Sequence, residues 1–205
     1  MDWSERLRWR ERTHEQYNDL WDLKLVRKRI PFVLSFLKYG DKVLEIGASN
    51  RKLEVKIKKI YPNVVYKSLD IDPKYPHDYS SFEEIKETFD MVLLFEVIEH
   101  LGLEEGREMV KKIHQILNPG GRVALTTPNV YTPGQYWKDA THLMPYHYEE
   151  LGALFLSEGF ELVDIRRVFR RSYFKYYFKG YIFSSLFHFL GIDFSESILL
   201  VARKA

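Results

Sequence analysis

Glu96, Glu99 and His100 lie together in the segment FEVIEHL, and His142 follows in the segment DATHLMPYH. Because an imidazole titrates near neutral pH, either histidine could remove a proton as a general base. Alternatively, the two glutamates and two histidines could bind a divalent metal that lowers the pKa of a bound hydroxyl. In a third, structural interpretation, Glu99 and His100 cap the next helix and support a loop. The sequence alone leaves these three interpretations open.

Gly47 and Asp70 have the residue types and positions of a nucleotide-binding site. Each follows a short apolar run. A glycine lets the backbone turn sharply and approach a ligand, and an acidic residue at the end of the next strand can accept hydrogen bonds from a ribose diol. The structural alternatives are a glycine that only permits packing and a solvated or helix-capping carboxylate. Asp72 competes with Asp70 for the ribose role.

The elements that position these residues alternate between strand and helix from residue 42 to 169. The apolar runs predict strands at 42–46, 64–71, 89–95, 122–126, 160–169 and 197–202, and helical spacing predicts helices at 51–60, 103–117 and 148–157. Such alternation predicts an α/β fold with a doubly wound, mostly parallel sheet and helices on both faces. Residues 5–38 are predicted to be helical with a break at Pro31, and 118–121 to form a tight turn. Ligands bind such sheets at the carboxyl ends of the strands, where Gly47, Asp70, Glu96 and Thr127 lie.

The segments VLEIG, SLDIDP, FDMVLLFEVIEHL, LNPGGRVALTTPN and HLMPYHYEELGALFLSEGF occur in this order. Together they resemble the class I S-adenosylmethionine-dependent methyltransferases, of the type 11, 12 and 23 groups. The resemblance implies a Rossmann-like, seven-stranded sheet whose last strand, at 197–204, is antiparallel. It also implies S-adenosylmethionine as the cofactor and S-adenosylhomocysteine as the product.

The resemblance assigns roles to individual residues. His100 and His142 are the acid–base candidates, and Glu96 lies near the methyl donor. No metal ligand is assigned. The residues expected to contact the cofactor are Glu45, Gly47, Ala48, Ser49, Asp70, Ile71, Asp78, Phe95 and Glu96.

Two departures from the family pattern bear on the cofactor. The family loop usually reads E-x-G-x-G-x-G, but Ser49 and Arg51 occupy the second and third glycine positions. The altered loop raises the alternative of a catalytically weak binding or scaffold protein on the same fold. The span from Asp72 to Asp90 is also short for the helix and third strand of the family, so Asp78 would meet the adenine amino group.

The composition excludes several classes of protein. The chain has 205 residues, no cysteine and a net charge of +2. The missing cysteine excludes disulfides, cysteine-ligated zinc and thiol catalysis, and the small charge does not by itself indicate nucleic acid. The N-terminal segment is charged, and no uncharged stretch reaches the length of a membrane-spanning helix. We therefore expect a cytoplasmic protein, with peripheral membrane contact as an alternative.

The aromatic residues, 14 Tyr, 14 Phe and 4 Trp, are concentrated in the loop 131–148 and in the basic segment 169–194. In the loop they could stack on an acceptor or form a small core. In the segment 170–194 they could pack on the domain, or on a sister subunit in a homo-oligomer. They could also lie on an anionic membrane or, less favourably, track nucleic acid.

The expected function is methyl transfer to oxygen of a small-molecule, glycan or lipid-linked acceptor. Thr126-Thr127-Pro128-Asn129 replaces the N-P-P-[YF] signature of amino-group methylation. The E-x-x-E-H pattern with a later histidine is similar to the metal-dependent methyltransferases that modify the 2′-hydroxyl of small RNAs, which makes a metal-assisted RNA 2′-O-methyltransferase the alternative. The predicted organisation is a single domain, residues 1–205. It has a helical cover (1–40), a cofactor-binding core (41–169), an aromatic and basic insertion (170–195) and the last strand (196–205).

Overall fold

A single seven-stranded sheet organises residues 3–169 and 185–205, which are the residues that the computed structural model describes. The strands are β1 Lys24–Val26, β2 Lys42–Ile46, β3 Val65–Leu69, β4 Phe89–Phe95, β5 Leu117–Pro128, β6 Phe160–Val168 and β7 Ser197–Lys204. Their order in the sheet is β1-β6-β7-β5-β4-β2-β3. Strand β7 is antiparallel to β5 and β6, and the other neighbours are parallel, which confirms the predicted fold class. The helices are α1 Trp3–Gln16, α2 Arg29–Leu34, α3 Lys52–Ile60, α4 Leu103–Ile116 and α5 Tyr148–Ser157.

The central strands are apolar on both faces because helices cover the sheet on both sides. Successive residues of a strand point to opposite faces. Val43 therefore belongs to one buried cluster and Leu44 to the other, and the same holds for Met91 and Val92 in β4. This two-sided burial explains why β2 and β4 read as continuous apolar runs in the sequence.

The order of the strands reverses at β2, which pairs with β3 on one side and with β4 on the other. The helix that follows β2 packs into one buried cluster through Ile57, and the helix that follows β4 packs into the other through Val110. A crevice at such a reversal is the usual ligand site of an open parallel sheet.

The prediction of helix throughout residues 5–38 is wrong. After α1, Asp19 caps a short 3₁₀ turn, and Lys24–Val26 then pairs in parallel with β6 as an edge strand. The backbone N–H of Phe169 donates to the carbonyl of Val26 at 3.0 Å, so tertiary pairing creates this strand. Pro31 breaks no helix, because it lies in the first turn of α2, where its missing N–H has no intrahelical partner.

The span between β3 and β4 contains no further strand in the described part of the chain, as the sequence indicates. Tyr79 instead forms an isolated parallel bridge with Leu69. The sheet still has seven strands because the N-terminal β1 is added to it. This strand lies at the edge next to β6, whereas the missing strand would be expected at the other edge, next to β3. Residues 118–121, predicted to form a tight turn, lie within the bounds of β5 but bulge out of the sheet. The register passes from Phe89 opposite Leu117 to Met91 opposite Arg122, and Gly120 has a φ of +75°.

Of the predicted insertion at 170–195, residues 170–184 lie outside the described residues. Beyond them, Leu186, Phe189 and Leu190 are exposed. Among the helices of the described residues, none combines the length and apolarity needed to cross a bilayer.

Candidate active site

Gly47 makes the turn that leaves β2, and two features require a glycine there. Its φ is +71°, a region that side chains disfavour. A Cβ at this position would lie 2.4 Å from Cγ2 of Val97, in the segment that leaves β4. The N–H of Gly47 donates to the carbonyl of Leu69 at 2.9 Å. The turn is therefore packed between the ends of β3 and β4, and the contact of Gly47 with the cofactor stays a prediction.

The two loop positions that depart from the family pattern keep a glycine-like backbone. Ser49 has a φ of +43° and Arg51 a φ of +55°. The Arg51 guanidinium holds this conformation by donating to Glu54 and to the carbonyl of Pro76, both at 2.9 Å. The loop thus has the left-handed shape that glycines would give it, at a cost of about 1–2 kcal/mol for each residue.

Asp70 ties the end of β3 to this loop. One carboxylate oxygen accepts from the N–H of Ser49 at 2.6 Å, and the other accepts from the N–H of Asp72 at 2.9 Å. A carboxylate offers about four lone-pair sites, so Asp70 retains capacity for a ribose diol. Asp72 instead closes a local turn by accepting from the N–H of Lys74. Ile71 between them is 87% exposed, although it is apolar.

Asp78 is held beside β3 by several donors. It accepts from the N–H and hydroxyl of Ser68 and from the ammonium of Lys67, at 3.0–3.1 Å, and it forms an ion pair with Arg51. Burial raises the pKa of Asp78, but the hydrogen bonds from Lys67 and Ser68 outweigh it and leave the pKa below the ordinary value. Asp78 therefore anchors the loop after β3, and its contact with adenine stays a prediction.

Glu45 is a buried carboxyl near the end of β2. Burial raises its pKa to about 7, although the hydrogen bond from the Tyr66 hydroxyl and the charge of Arg29 act in the opposite direction. A carboxyl with this pKa exchanges its proton near neutral pH. The sequence marked Glu45 as a cofactor contact but contained no sign of this perturbation.

Glu96 leaves β4 with a φ of +57° while its N–H continues the sheet by donating to the carbonyl of Thr126 at 2.8 Å. Its side chain accepts from Arg29 at 3.2 Å and from the Ser197 hydroxyl at 2.9 Å. Arg29 also donates to the Thr126 hydroxyl and covers the ring of Phe95. Arg29 is a site residue that the sequence missed.

Glu99, His100 and His142 come together as a cluster, which we call the histidine cluster. Their potential ligand atoms all lie within 4.8 Å of one another. The two segments meet because the carbonyl of Glu99 accepts from the N–H groups of Leu143 and Met144 at 2.8 and 3.0 Å. Glu96 faces Arg29 and Ser197 and is not a member of the cluster.

The Glu99 side chain is 0% exposed, and neither carboxylate oxygen has a hydrogen-bond partner among the described residues. Burial raises the pKa of Glu99 to about 8, and the negative charges of Glu96 and Asp139 act in the same direction, whereas the backbone of Glu99 and the nearby Thr127 hydroxyl lower the pKa. A buried carboxylate without a donor is unfavourable unless a proton or a cation compensates it. The buried Glu99 therefore favours uptake of a proton or a cation at this site.

Both histidines are oriented through Nδ1. The Nδ1 of His142 lies 2.6 Å from the carbonyl oxygen of Tyr136. The Nδ1 of His100 lies 3.3 Å from the carbonyl oxygen and 2.9 Å from the hydroxyl of Thr141, and that hydroxyl donates to Asp139. Because a carbonyl can only accept, the Nδ1 atoms carry the protons and the Nε2 lone pairs stay available. This is the outer-shell arrangement typical of metal-binding or proton-accepting histidines.

Comparison with known proteins decides the family. A family model for a methyltransferase domain matches residues 14–165. The chain belongs to this methyltransferase family. Among curated proteins, none matches the sequence.

Solved structures of methyltransferases share the fold. A SAM-dependent methyltransferase from Archaeoglobus fulgidus has a TM-score of 0.67 at 17% identity, covering 86% of this chain and 91% of that chain. Another, from Methanosarcina mazei, has a TM-score of 0.61 at 13% identity, covering 85% and 97%. The N-methyltransferase NodS from Bradyrhizobium japonicum, solved with S-adenosyl-L-homocysteine, has a TM-score of 0.57 at 16% identity, covering 86% of each chain. The class I assignment, with S-adenosylmethionine as cofactor, is confirmed.

The aromatic loop of this methyltransferase is mostly core. Tyr136, Tyr146 and Tyr148 are buried, so these three rings pack in the core instead of presenting a surface to an acceptor. The Tyr131 hydroxyl contacts Nε2 of His147, which caps α5 by accepting from the N–H of Glu149. Trp137 alone among the Tyr, Trp and Phe residues of 131–148 is strongly exposed, at 82%.

Proposed function

We propose that this methyltransferase transfers the methyl group of S-adenosylmethionine to a hydroxyl oxygen, and that the histidine cluster takes up the hydroxyl proton. The observation that carries the proposal is the orientation of His100 and His142, whose Nδ1 atoms donate to oxygen and leave Nε2 able to accept a proton. The buried Glu99 lies beside them and, in its ionised form, stabilises the resulting imidazolium.

The reaction is a single displacement. The acceptor oxygen forms a bond to the methyl carbon in line with the carbon–sulfur bond. That bond breaks with its electron pair staying on sulfur, which yields S-adenosylhomocysteine. The hydroxyl proton passes to Nε2 of His100 or His142. The protein therefore positions both substrates and places a proton acceptor next to the acceptor oxygen.

The cofactor is assigned to the crevice between the ends of β2, β3 and β4. Gly47, Ala48 and Ser49 supply the close backbone approach, and Asp70 supplies acceptors for the ribose diol. The peptide of Phe95 and Glu96 lies under the methionine part. The exposed Ile71 and the anchored Asp78 are assigned to the adenine.

A specific observation favours a divalent cation in the histidine cluster as a second candidate. Glu99, His100 and His142 each place one potential ligand atom within 4.8 Å of the others, and both histidines are held by oxygen acceptors at Nδ1. A cation bound there would lower the pKa of an acceptor hydroxyl. In this second mechanism Glu99 and the two histidines would bind the cation, and the hydroxyl proton would leave to solvent.

The proposal is tested by methyl transfer from isotopically labelled S-adenosylmethionine to a panel of acceptors: a catechol, a glycan, a prenyl alcohol, an RNA 3′ end and a primary amine. We expect label in a methyl ether or methoxy product, and a loss of about 100-fold or more in H142A and H100A. H14A, an exposed histidine outside the cluster, is the matched control. A labelled methylamine as the main product would contradict methyl transfer to oxygen.

A further inference from the structure

A basic groove lies between the start of α2 and one side of α3, with a volume of about 640 Å³. Its cationic lining residues are Arg27, Lys28, Arg29, Lys56 and Lys59, and none of the described residues that line it is acidic. The volume falls within the range of small-molecule sites, about 300–1,000 Å³. Arg29 is paired with Glu96, so the charge that favours an anion is carried by the lysines of the lining, Lys28, Lys56 and Lys59.

The rest of the groove lining is aliphatic. Ile30 and Pro31 come from α2, Ile60 from the end of α3 and Val168 from the end of β6. Ile60 is half exposed although it is apolar. A free inorganic anion would leave this aliphatic surface in water. An anion attached to a hydrocarbon chain would cover it and gain the free energy of apolar burial.

The lining also argues against a nucleic acid strand as the occupant. Single-stranded nucleic acid is bound by stacking its bases on aromatic side chains within a basic groove. None of the described residues that line this groove is aromatic. The combination of aliphatic surface and lysines instead matches an amphiphile with an anionic head group.

Arg29 connects the groove to the candidate active site. It lines the groove, and its guanidinium reaches the carboxylate of Glu96 and the hydroxyl of Thr126 at the carboxyl ends of β4 and β5. The groove therefore shares Arg29 with the residue that follows β4, at the crevice assigned to the cofactor.

We propose that the groove binds the phosphorylated end of a lipid-linked acceptor, with the phosphate near the lysines of α3 and the first carbons of the chain on Ile30, Pro31 and Ile60. The proposal rests on the proposed function, because it names the substrate class of that site. Ligand binding to the groove can nevertheless be measured separately from methyl transfer, since binding requires no turnover.

The test is direct binding of geranyl diphosphate, with inorganic diphosphate, geraniol and a short single-stranded RNA as comparison probes. We expect geranyl diphosphate to bind at least 10-fold more tightly than each of the others. The double variant K56E/K59E should weaken it at least 10-fold. K38E/K111E, which changes the same charge at exposed lysines outside the groove, should stay within twofold.

Three results would overturn the proposal. Equal binding of inorganic diphosphate, or tighter binding of the RNA with the same response to K56E/K59E, would assign the groove to a free anion or a nucleic acid. Unchanged binding in K56E/K59E would remove the ligand from the groove. Cofactor affinity, measured in parallel on every variant, separates these results from a failure of the proposed function, because K56E/K59E leaves the cofactor residues intact.

Discussion

The guanidinium of Arg29 lies 3.2 Å from the carboxylate of Glu96 and fixes the backbone that leaves β4. Glu96 is a non-glycine residue at a φ of +57°, so its conformation depends on the contacts of its side chain and N–H. Arg29 also donates to the buried Thr126 hydroxyl at 2.9 Å. Arg29 therefore ties the start of α2 to the carboxyl ends of β4 and β5.

Replacing Arg29 by Ala should lower the free energy of unfolding by about 2 kcal/mol, because charged hydrogen bonds to Glu96 and Thr126 are lost together. Urea unfolding measures the change. K28A, at the exposed neighbouring residue, should have little effect. A loss in R29A no larger than in K28A would contradict the structural role of the contact.

Replacing Gly47 by Ala should destabilise the protein more than replacing Gly40, and the comparison separates two physical causes. Both glycines have positive φ, +71° and +80°, but a Cβ at Gly40 meets open space, whereas one at Gly47 lies 2.4 Å from Val97. We expect about 1 kcal/mol for G40A and a further 1–3 kcal/mol for G47A. The double variant G47A/V97A should regain part of the difference. Equal losses in G40A and G47A would exclude the close contact.

The sequence located the residues at the strand ends because parallel strands present their carboxyl ends at one edge of the sheet. This geometry follows from the strand–helix alternation alone, and it brings Gly47, Asp70 and Glu96 to the crevice. The pairing of Glu99 and His100 with His142 required the family resemblance, because the contact is made by a loop whose path depends on hydrogen bonds to the Glu99 carbonyl.

What the sequence could not predict depends on tertiary contacts. Lys24–Val26 is too short to show a strand pattern and forms only by pairing with β6. Ser49 and Arg51 adopt left-handed conformations that their residue types do not favour. Arg29 resembles a surface residue in the sequence, and only the packing of α2 on the sheet brings it to Glu96.

The buried Glu45 should make stability depend on pH. Its folded-state pKa, about 7, lies above the ordinary 4.5, chiefly because of burial. A raised pKa means that the folded state holds the proton more tightly. The contribution to stability is therefore fully present below pH 4.5 and is lost as the pH rises through 7, to a limit of about 3 kcal/mol.

Glu45→Gln, which stays neutral, tests this effect. The difference in unfolding free energy between E45Q and the unsubstituted protein should shift in favour of E45Q between pH 5 and pH 8. Urea unfolding at the two pH values measures it. A difference that is the same at pH 5 and pH 8 would show that Glu45 does not titrate in this range.

The second candidate, a divalent cation in the histidine cluster, predicts one binding site for the cation. Titration with Co²⁺ should give a visible absorption band that saturates at one equivalent. E99Q and H142A should abolish the band because each removes one of the three ligands. H14A should leave it unchanged. If no band forms, or if E99Q and H142A bind as the unsubstituted protein does, the cation is excluded and direct proton transfer to a histidine is the remaining mechanism.

The most direct test of the account is calorimetric titration with S-adenosylmethionine of the unsubstituted protein, D70A and D72A. Asp70 joins the glycine turn to the end of β3 and offers acceptors to the ribose diol, whereas Asp72 closes only a local turn. We predict one binding site, at least a 10-fold loss of affinity in D70A and less than a threefold change in D72A. No binding at millimolar S-adenosylmethionine, or equal affinities in D70A and the unsubstituted protein, would contradict the proposed cofactor site.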